Sequence, residues 1–306
     1  MSDPNNKTPM SDVQFGLLAG VFAYSLWGLF PIYLKALDDV SVFEILAHRI
    51  IWSVPFGALL IALRKQWPEV RAAISSRRVL LLLMVSALAI SANWLIYVWA
   101  VVNDQVLQAS LGYYINPLMY VAAGVFILGE KLRPAQIVAV TLAFIGVLVM
   151  TFGAGVFPWA AILLAILFTL YGYLRKTTPV GAMPGLFIET SLLAPIALIF
   201  LFWLMGNGAA VFTNQSMGKD ILLILAGPVT VVPLVLFALS ARRLRLSTLG
   251  FLQYIGPTLQ FILGIYYGET FTLAHAICFG LIWTGLAIYS FDAARANRAE
   301  HIKKAV

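Results

Sequence analysis

What most constrains this chain is a succession of ten long apolar runs separated by short polar strips, over 15–34, 42–63, 79–100, 106–128, 134–152, 157–174, 184–206, 220–240, 246–268 and 272–291. A helix needs roughly 20 apolar residues to cross a hydrocarbon core about 30 Å thick. Backbone amides in hydrocarbon find no water, so a lone run of that length is satisfied only by the internal hydrogen bonds of a helix. The runs therefore predict an all-α membrane protein with ten transmembrane helices. The run 157–174 is short by this measure, and 106–128 and 246–268 contain prolines. Composition agrees: 11% of residues are charged, against about 25% in soluble domains.

The charge pattern assigns sides. With the N-terminus in the cytoplasm, Lys7, Arg64, Lys65, Arg71, Arg77, Arg78, Lys131, Arg133, Arg175, Lys176, Arg242, Arg243, Arg245, Arg295, Arg298, Lys303 and Lys304 fall inside, and only Lys35 and Lys219 fall outside. Short cytoplasmic loops carry such an excess of Lys and Arg. Both termini are thus expected in the cytoplasm. The net charge of +7 is spread over strips between runs. Nucleic-acid binding needs it gathered on one soluble face, so no nucleic-acid partner is expected. The single cysteine, Cys278, excludes an internal disulfide, and with three histidines the chain offers no metal-site spacing; neither metal nor cofactor is expected. Residues 1–14 read as a polar cytoplasmic tail, with the first apolar run retained as a span.

The chain repeats itself. Tyr114-Ile115-Asn116-Pro117 matches Tyr254-Ile255-Gly256-Pro257 at an offset of 140. After a one-residue slip, Gly129-Glu130 matches Gly268-Glu269 and GVLVMTF (146–152) matches GLAIYSF (285–291). Upstream, YSLWG (24–28) matches FTLYG (168–172). The organisation predicted is a tail (1–14), a five-helix repeat (15–152), a second five-helix repeat (157–291) and a cytoplasmic tail (292–306). Five is odd, so the second unit enters the membrane from the opposite side. Inverted repeats of this kind mark secondary transporters, whose site lies near the midplane where interrupted helices meet.

The paired units, the Trp27-Gly28 step, the prolines of the fourth spans and LGEKLRPAQIVAVTLAFIGVLVM (128–150) resemble the EamA family of the drug/metabolite transporter superfamily. SLGYYINPLMYV (110–121), ANWLIYVWAV (92–101), AHRIIWS (47–53) and FIETSLLAPI (187–196) are similar to its RarD-type permeases, a subgroup labelled by chloramphenicol sensitivity. The resemblance, which covers essentially 15–291, implies a ten-helix bundle with an alternating-access pathway and a small metabolite, amino acid or drug-like substrate, with efflux as the direction.

Candidate site residues follow from polarity inside the runs. Tyr113, Asn116, Tyr120 and Gly124 match Gln253, Gly256, Gln260 and Gly264, spaced i, i+3, i+7, i+11 on one helical face. Such a face is costly against lipid and points either into a watery cavity or at a neighbouring helix as hydrogen-bonding glue. Pro117 and Pro257 break the amide ladder, freeing the carbonyls of Tyr113 and Gln253. Asn93 is a lone amide in the third span, substrate-facing or a helix–helix tie, and its repeat counterpart is Pro233. Trp27 and Tyr171, at matching positions, either stack on a flat substrate or pack the bundle. Charged residues within spans are functional candidates: Arg49 and Glu189 sit at equivalent positions and either form a coupling or charge pair or separately satisfy polar groups and snorkel towards an interface. At about 1.5 Å per residue, Arg49 lies roughly 5 Å outside the midplane and Glu189 roughly 10 Å inside it, so contact requires tilt or a bridging substrate. A desolvated Glu189 is also a candidate carrier of a coupling proton. Glu44, one turn from His48, lies near the outer interface, and Glu130 and Glu269 read as helix-end anchors.

A polar-pore channel would use similar faces, but filter-like loops or side-chain rings are not apparent. An intramembrane enzyme would need a zinc pair or a nucleophile elbow, and neither motif occurs.

Overall fold

The computed structural model describes residues 12–128, 133–153, 157–241, 243–244 and 252–305, with side chains described for all of these except 117, 120–128, 176, 241 and 293–305. Among the described residues the regular structure is helical: α1 (Asp12–Lys35), α2 (Val42–Leu63), α3 (Trp67–Ser75), α4 (Arg77–Val102), α5 (Val106–Leu128), α6 (Pro134–Gly153), α7 (Trp159–Thr177), α8 (Ala182–Gly206), α9 (Met217–Ala241), α10 (Ile255–Tyr266) and α11 (Leu273–Ala305). Among the described residues seven helices, α1, α2, α4, α6, α8, α9 and the first part of α11, are long and apolar enough to cross a bilayer. The other three predicted runs hold helices α5, α7 and α10.

One feature departs from the hydropathy reading, and the two expected interruptions differ from each other. Helix α3 was not expected: it is a short amphipathic helix in the basic strip, and it buries Val70 and Ala73 in a cluster with Leu83 of α4 and Leu186 of α8. The second expected interruption is present, with Leu252 helical ahead of it. The chain turns at Gln253 and Tyr254, and α10 begins at Ile255, which puts Pro257 in the first turn. The orphan amides of a first turn have no intrahelical partner, so proline there loses no bond. Helix α5, by contrast, continues past Pro117 without a break, although the side chain of Pro117 lies outside those described.

Packing is between helices distant in sequence. Helix α2 lies against α8 and α9, α1 against α9 and α10, α5 against α7 and α10, α4 against α7, and α6 against α11. Small residues permit the close approaches. A Cβ on Gly227 of α9 would stand 2.4 Å from the Trp52 carbonyl oxygen of α2. In the α6–α11 pair, a Cβ on Gly146 would meet the Cys278 carbonyl oxygen at 3.2 Å, and one on Gly285 would meet the Ala139 carbonyl oxygen at 2.9 Å.

Buried carboxylates tie helix ends and loops together. Glu44, fully buried, accepts hydrogen bonds from the amides of Val211 (2.9 and 3.1 Å) and Phe212 (3.0 Å) in the α8–α9 connection. It is a buried anchor between the first turn of α2 and the α8–α9 loop. Glu269 accepts from the amides of Val106 and of Leu107 (2.8 Å) at the start of α5, and Glu69 of α3 accepts from Gly181 at the start of α8 at 2.5 Å. Helix N-termini present unpaired amides and a partial positive charge, and neither Val106 nor Gly181 has an oxygen-bearing side chain in place to cap its own helix. Glu269 fits its predicted helix-end role, whereas Glu130 lies outside the described residues. Burial still pushes the Glu269 carboxyl above its ordinary 4.5, the two amide bonds only partly opposing it.

Candidate functional site

The interior between α1, α4, α5, α7 and α10 is lined by aromatic rings in sequence. Tyr33 stacks on Phe30 (5.4 Å between centroids), Phe30 on Tyr97 (5.8 Å), Tyr97 meets Tyr113 (5.7 Å), Tyr113 meets Phe168 edge-on (6.0 Å), and Phe168 meets Tyr171 (6.2 Å). The row starts on α1, crosses α4 and α5 and ends on α7, one helical position contributing each ring. Trp27, one turn before Phe30, packs on Tyr24 and Phe237.

Polar groups sit among these rings. Gln260 Nε2 donates to the Trp27 carbonyl at 3.1 Å, joining α10 to α1. Asn93 Nδ2 donates to the Leu164 carbonyl at 3.0 Å, joining α4 to α7. Each of these amides is left with an unpaired oxygen, and Asn116, fully buried, has no hydrogen-bond partner for either of its amide atoms. An unpaired buried amide costs about 1–3 kcal/mol, a cost that a bound polar molecule or water would relieve.

The two intramembrane charges take separate partners, so the Arg49–Glu189 contact suggested by the repeat is not formed. Arg49 donates from Nε to Thr230 Oγ1 at 3.2 Å, and its guanidinium carbon lies 4.8 Å from the centroid of Phe30 and 4.5 Å from that of Trp94. Glu189 accepts from Ser86 Oγ at 2.7 Å and lies 3.6 Å from Arg175 Nη1; Tyr171 adjoins the same carboxyl. The physical reason is that α2 and α8 pack against each other but place these residues at different depths, and nearer helices supply the partners. Arg175 also donates to the Gly181 carbonyl at 2.8 Å. Its guanidinium crosses α8 directly over Gly185, where a Cβ would stand 1.9 Å from Nη1. Gly181, Gly185 and Glu189 follow at four-residue spacing on one face.

A separate cleft of about 680 Å³ opens beside the repeated motif, lined by Tyr114, Tyr254, Thr258, Trp283, Ser290 and Phe291 among others. Tyr114 and Tyr254, the matched tyrosines, stack at 6.2 Å and 20°, and Tyr114 Oη and Thr258 Oγ1 are 2.6 Å apart. Ser110 Oγ donates to the Pro257 carbonyl at 2.8 Å.

Of the predicted site residues, the structure gathers Trp27, Asn93, Tyr113, Asn116, Tyr171 and Gln260 around the aromatic interior. Gln253 sits half-buried in the turn before α10, and the side chains of Tyr120 and Pro117 lie outside those described. Residues that sequence reasoning passed over are Phe30, Trp94 and Tyr97, which read as ordinary apolar content, and Arg175, which was assigned to topology. The spacing Tyr171–Arg175 is the signal that would have found the last: it places the cation one turn from a candidate site residue, on the same face.

Comparison with known proteins places these features in context. The model of the EamA-like transporter family matches residues 14–152. The chain is 46% identical over 289 residues to an uncharacterized transporter of Vibrio cholerae, covering 94% of this chain and 96% of that protein. It is 44% identical over 284 residues to Protein RarD of Escherichia coli, covering 92% and 96% respectively. A solved crystal structure at 20% identity, covering 89% of this chain and 96% of its own, has a TM-score of 0.58, a likeness of fold.

Proposed function

Since the chain belongs to the EamA-like transporter family, as a RarD-type permease of a multi-pass bacterial membrane, we propose that it is a secondary carrier exporting a small metabolite, amino acid or drug-like molecule across the inner membrane by alternating access. In this reading ten helices cross the membrane as two inverted five-helix halves, 15–152 and 157–291, with both termini cytoplasmic. The substrate binds among Trp27, Asn93, Tyr113, Asn116, Tyr120, Tyr171, Gln253 and Gln260, and Glu189 carries the coupling proton.

The observation that carries this reading is the reciprocity of the α6–α11 contact. At the offset of 139 that aligns Gly146 with Gly285, Ala139 aligns with Cys278. Gly146 lies against Cys278, and Gly285 lies against Ala139. A contact that maps onto itself when partners are exchanged is the mark of a two-fold relation. The stacked pair Tyr114 and Tyr254 supports the same axis. Two halves related in this way give a centre that either half can open by rocking against the other.

The test is counterflow in proteoliposomes with small molecules selected by thermal-shift screening. Saturable counterflow is expected of a carrier. Ohmic single-channel currents with no counterflow would refute the carrier reading in favour of a pore.

A further inference from the structure

Arg49 is 5% exposed and lies within α2, and among the described residues no carboxylate pairs with it. An unpaired cation in that setting costs several kcal/mol. The buried acids Glu44 and Glu189 are committed elsewhere, Glu44 to the amides of Val211 and Phe212 and Glu189 to Ser86 and Arg175, and the part-buried Glu269 holds the start of α5. What surrounds the guanidinium is neutral: the Thr230 hydroxyl at Nε, the faces of Phe30 and Trp94, and Tyr33, Tyr97 and Tyr113 as electrostatic neighbours. Nη1 is buried with no acceptor.

Resting on the carrier reading above, we propose that Arg49 anchors the carboxylate of the transported molecule, with the molecule's flat apolar body lying along the aromatic row from Tyr97 towards Tyr171. A planar guanidinium matches a carboxylate with two parallel hydrogen bonds, and Nη1 holds a free donor for one of them. The ring faces of Phe30 and Trp94 stabilise the cation without neutralising it, so the unpaired Nη1 is the polar donor left over. The row beyond is built of aromatic rings in mutual contact, a chemistry that favours an aromatic or planar body once the rings part to admit it. Within it, the unpaired atoms of Asn116 and Gln260 supply hydrogen-bonding capacity at a distance from the anchor. The substrate class assigned is therefore an organic carboxylate with a planar apolar body. A cation or a neutral amide of the same shape would leave the Arg49 charge uncompensated.

The probes are phenylacetate and indole-3-acetate, compared with phenylacetamide and phenethylamine, titrated against purified protein in nanodiscs and read by tryptophan fluorescence. The acids are expected to bind about tenfold or more tighter than the amide and the amine. Arg49→Gln should erase that preference and Arg49→Lys retain part of it. Should Arg49→Gln fail to fold, Thr230→Asp keeps the arginine, sets a carboxylate beside it and should abolish acid binding. Equal affinity for acid and amide, no acid binding up to about 10 mM, or the same response to chloride alone would overturn the assignment. Binding is read without flux, so its failure leaves the carrier reading standing. Intact acid binding with absent counterflow would sink the carrier reading and spare the anion site.

Discussion

Replacing Gly185 by alanine tests how Glu189 is held. The added Cβ would stand 1.9 Å from Arg175 Nη1, 2.2 Å from Nη2 and 2.3 Å from Cζ, whereas non-bonded heavy atoms rest about 3.5–4.0 Å apart. The guanidinium must therefore retreat by about 1.5–2 Å, giving up the 2.8 Å bond to the Gly181 carbonyl and the 3.6 Å approach to Glu189. A hydrogen bond from a charged donor contributes about 1.5–3 kcal/mol, and alanine in a helix interior recovers about 0.5–1 kcal/mol relative to glycine. The net loss is about 1–2 kcal/mol. Cys278 supplies the assay, since it is the single cysteine and is buried: a thiol-reactive dye reports unfolding on heating. The decisive comparison is the same substitution in an Arg175→Gln background, where nothing crosses Gly185 and the change should turn stabilising by about 0.5–1 kcal/mol. If Gly185→Ala stabilised both backgrounds equally, the Arg175 crossing would play no part in holding α8.

Three further outcomes follow from the buried acids. Glu44→Ala strands the Val211 and Phe212 amides and should cost about 2–6 kcal/mol, at about 1–3 kcal/mol for each buried donor left unsatisfied, with Glu44→Gln costing less because one oxygen can still accept from both; equal unfolding temperatures for Ala and wild type would contradict this. For Glu269, burial raises the folded pKa above the ordinary 4.5, so folding favours its protonated form. Its contribution is fully present below that value and is lost as pH rises through the raised pKa. Glu269→Gln should flatten the decline of stability across that window, as measured by dye-reported unfolding at a series of pH values. Glu189→Gln should abolish pH-gradient-driven uptake in proteoliposomes while leaving counterflow intact, and undiminished driven uptake would remove Glu189 as the proton carrier.

Much of the helix layout was legible because membrane helices are a local phenomenon. A run of apolar residues satisfies its own backbone, so 42–63 appears as a helix with the boundaries hydropathy sets, and 106–128 is helical from its expected start. Helix α3 was missed because its apolar content is two buried positions on a nine-residue segment, too little for a span. Arg175 carried a topological signal that concealed its reach to Glu189.

The chain by itself determined that this is a helical membrane protein of the EamA-like family and which few polar residues lie inside its apolar runs, since hydropathy and motif spacing are written in contiguous residues. Only the tertiary structure decided what those residues touch. Glu44 meets an amide 167 residues away and Arg49 a hydroxyl 181 residues away, on helices brought together by shape and small-residue packing. No local rule encodes which distant helix will arrive with an acceptor, and which buried cation will be left waiting for one.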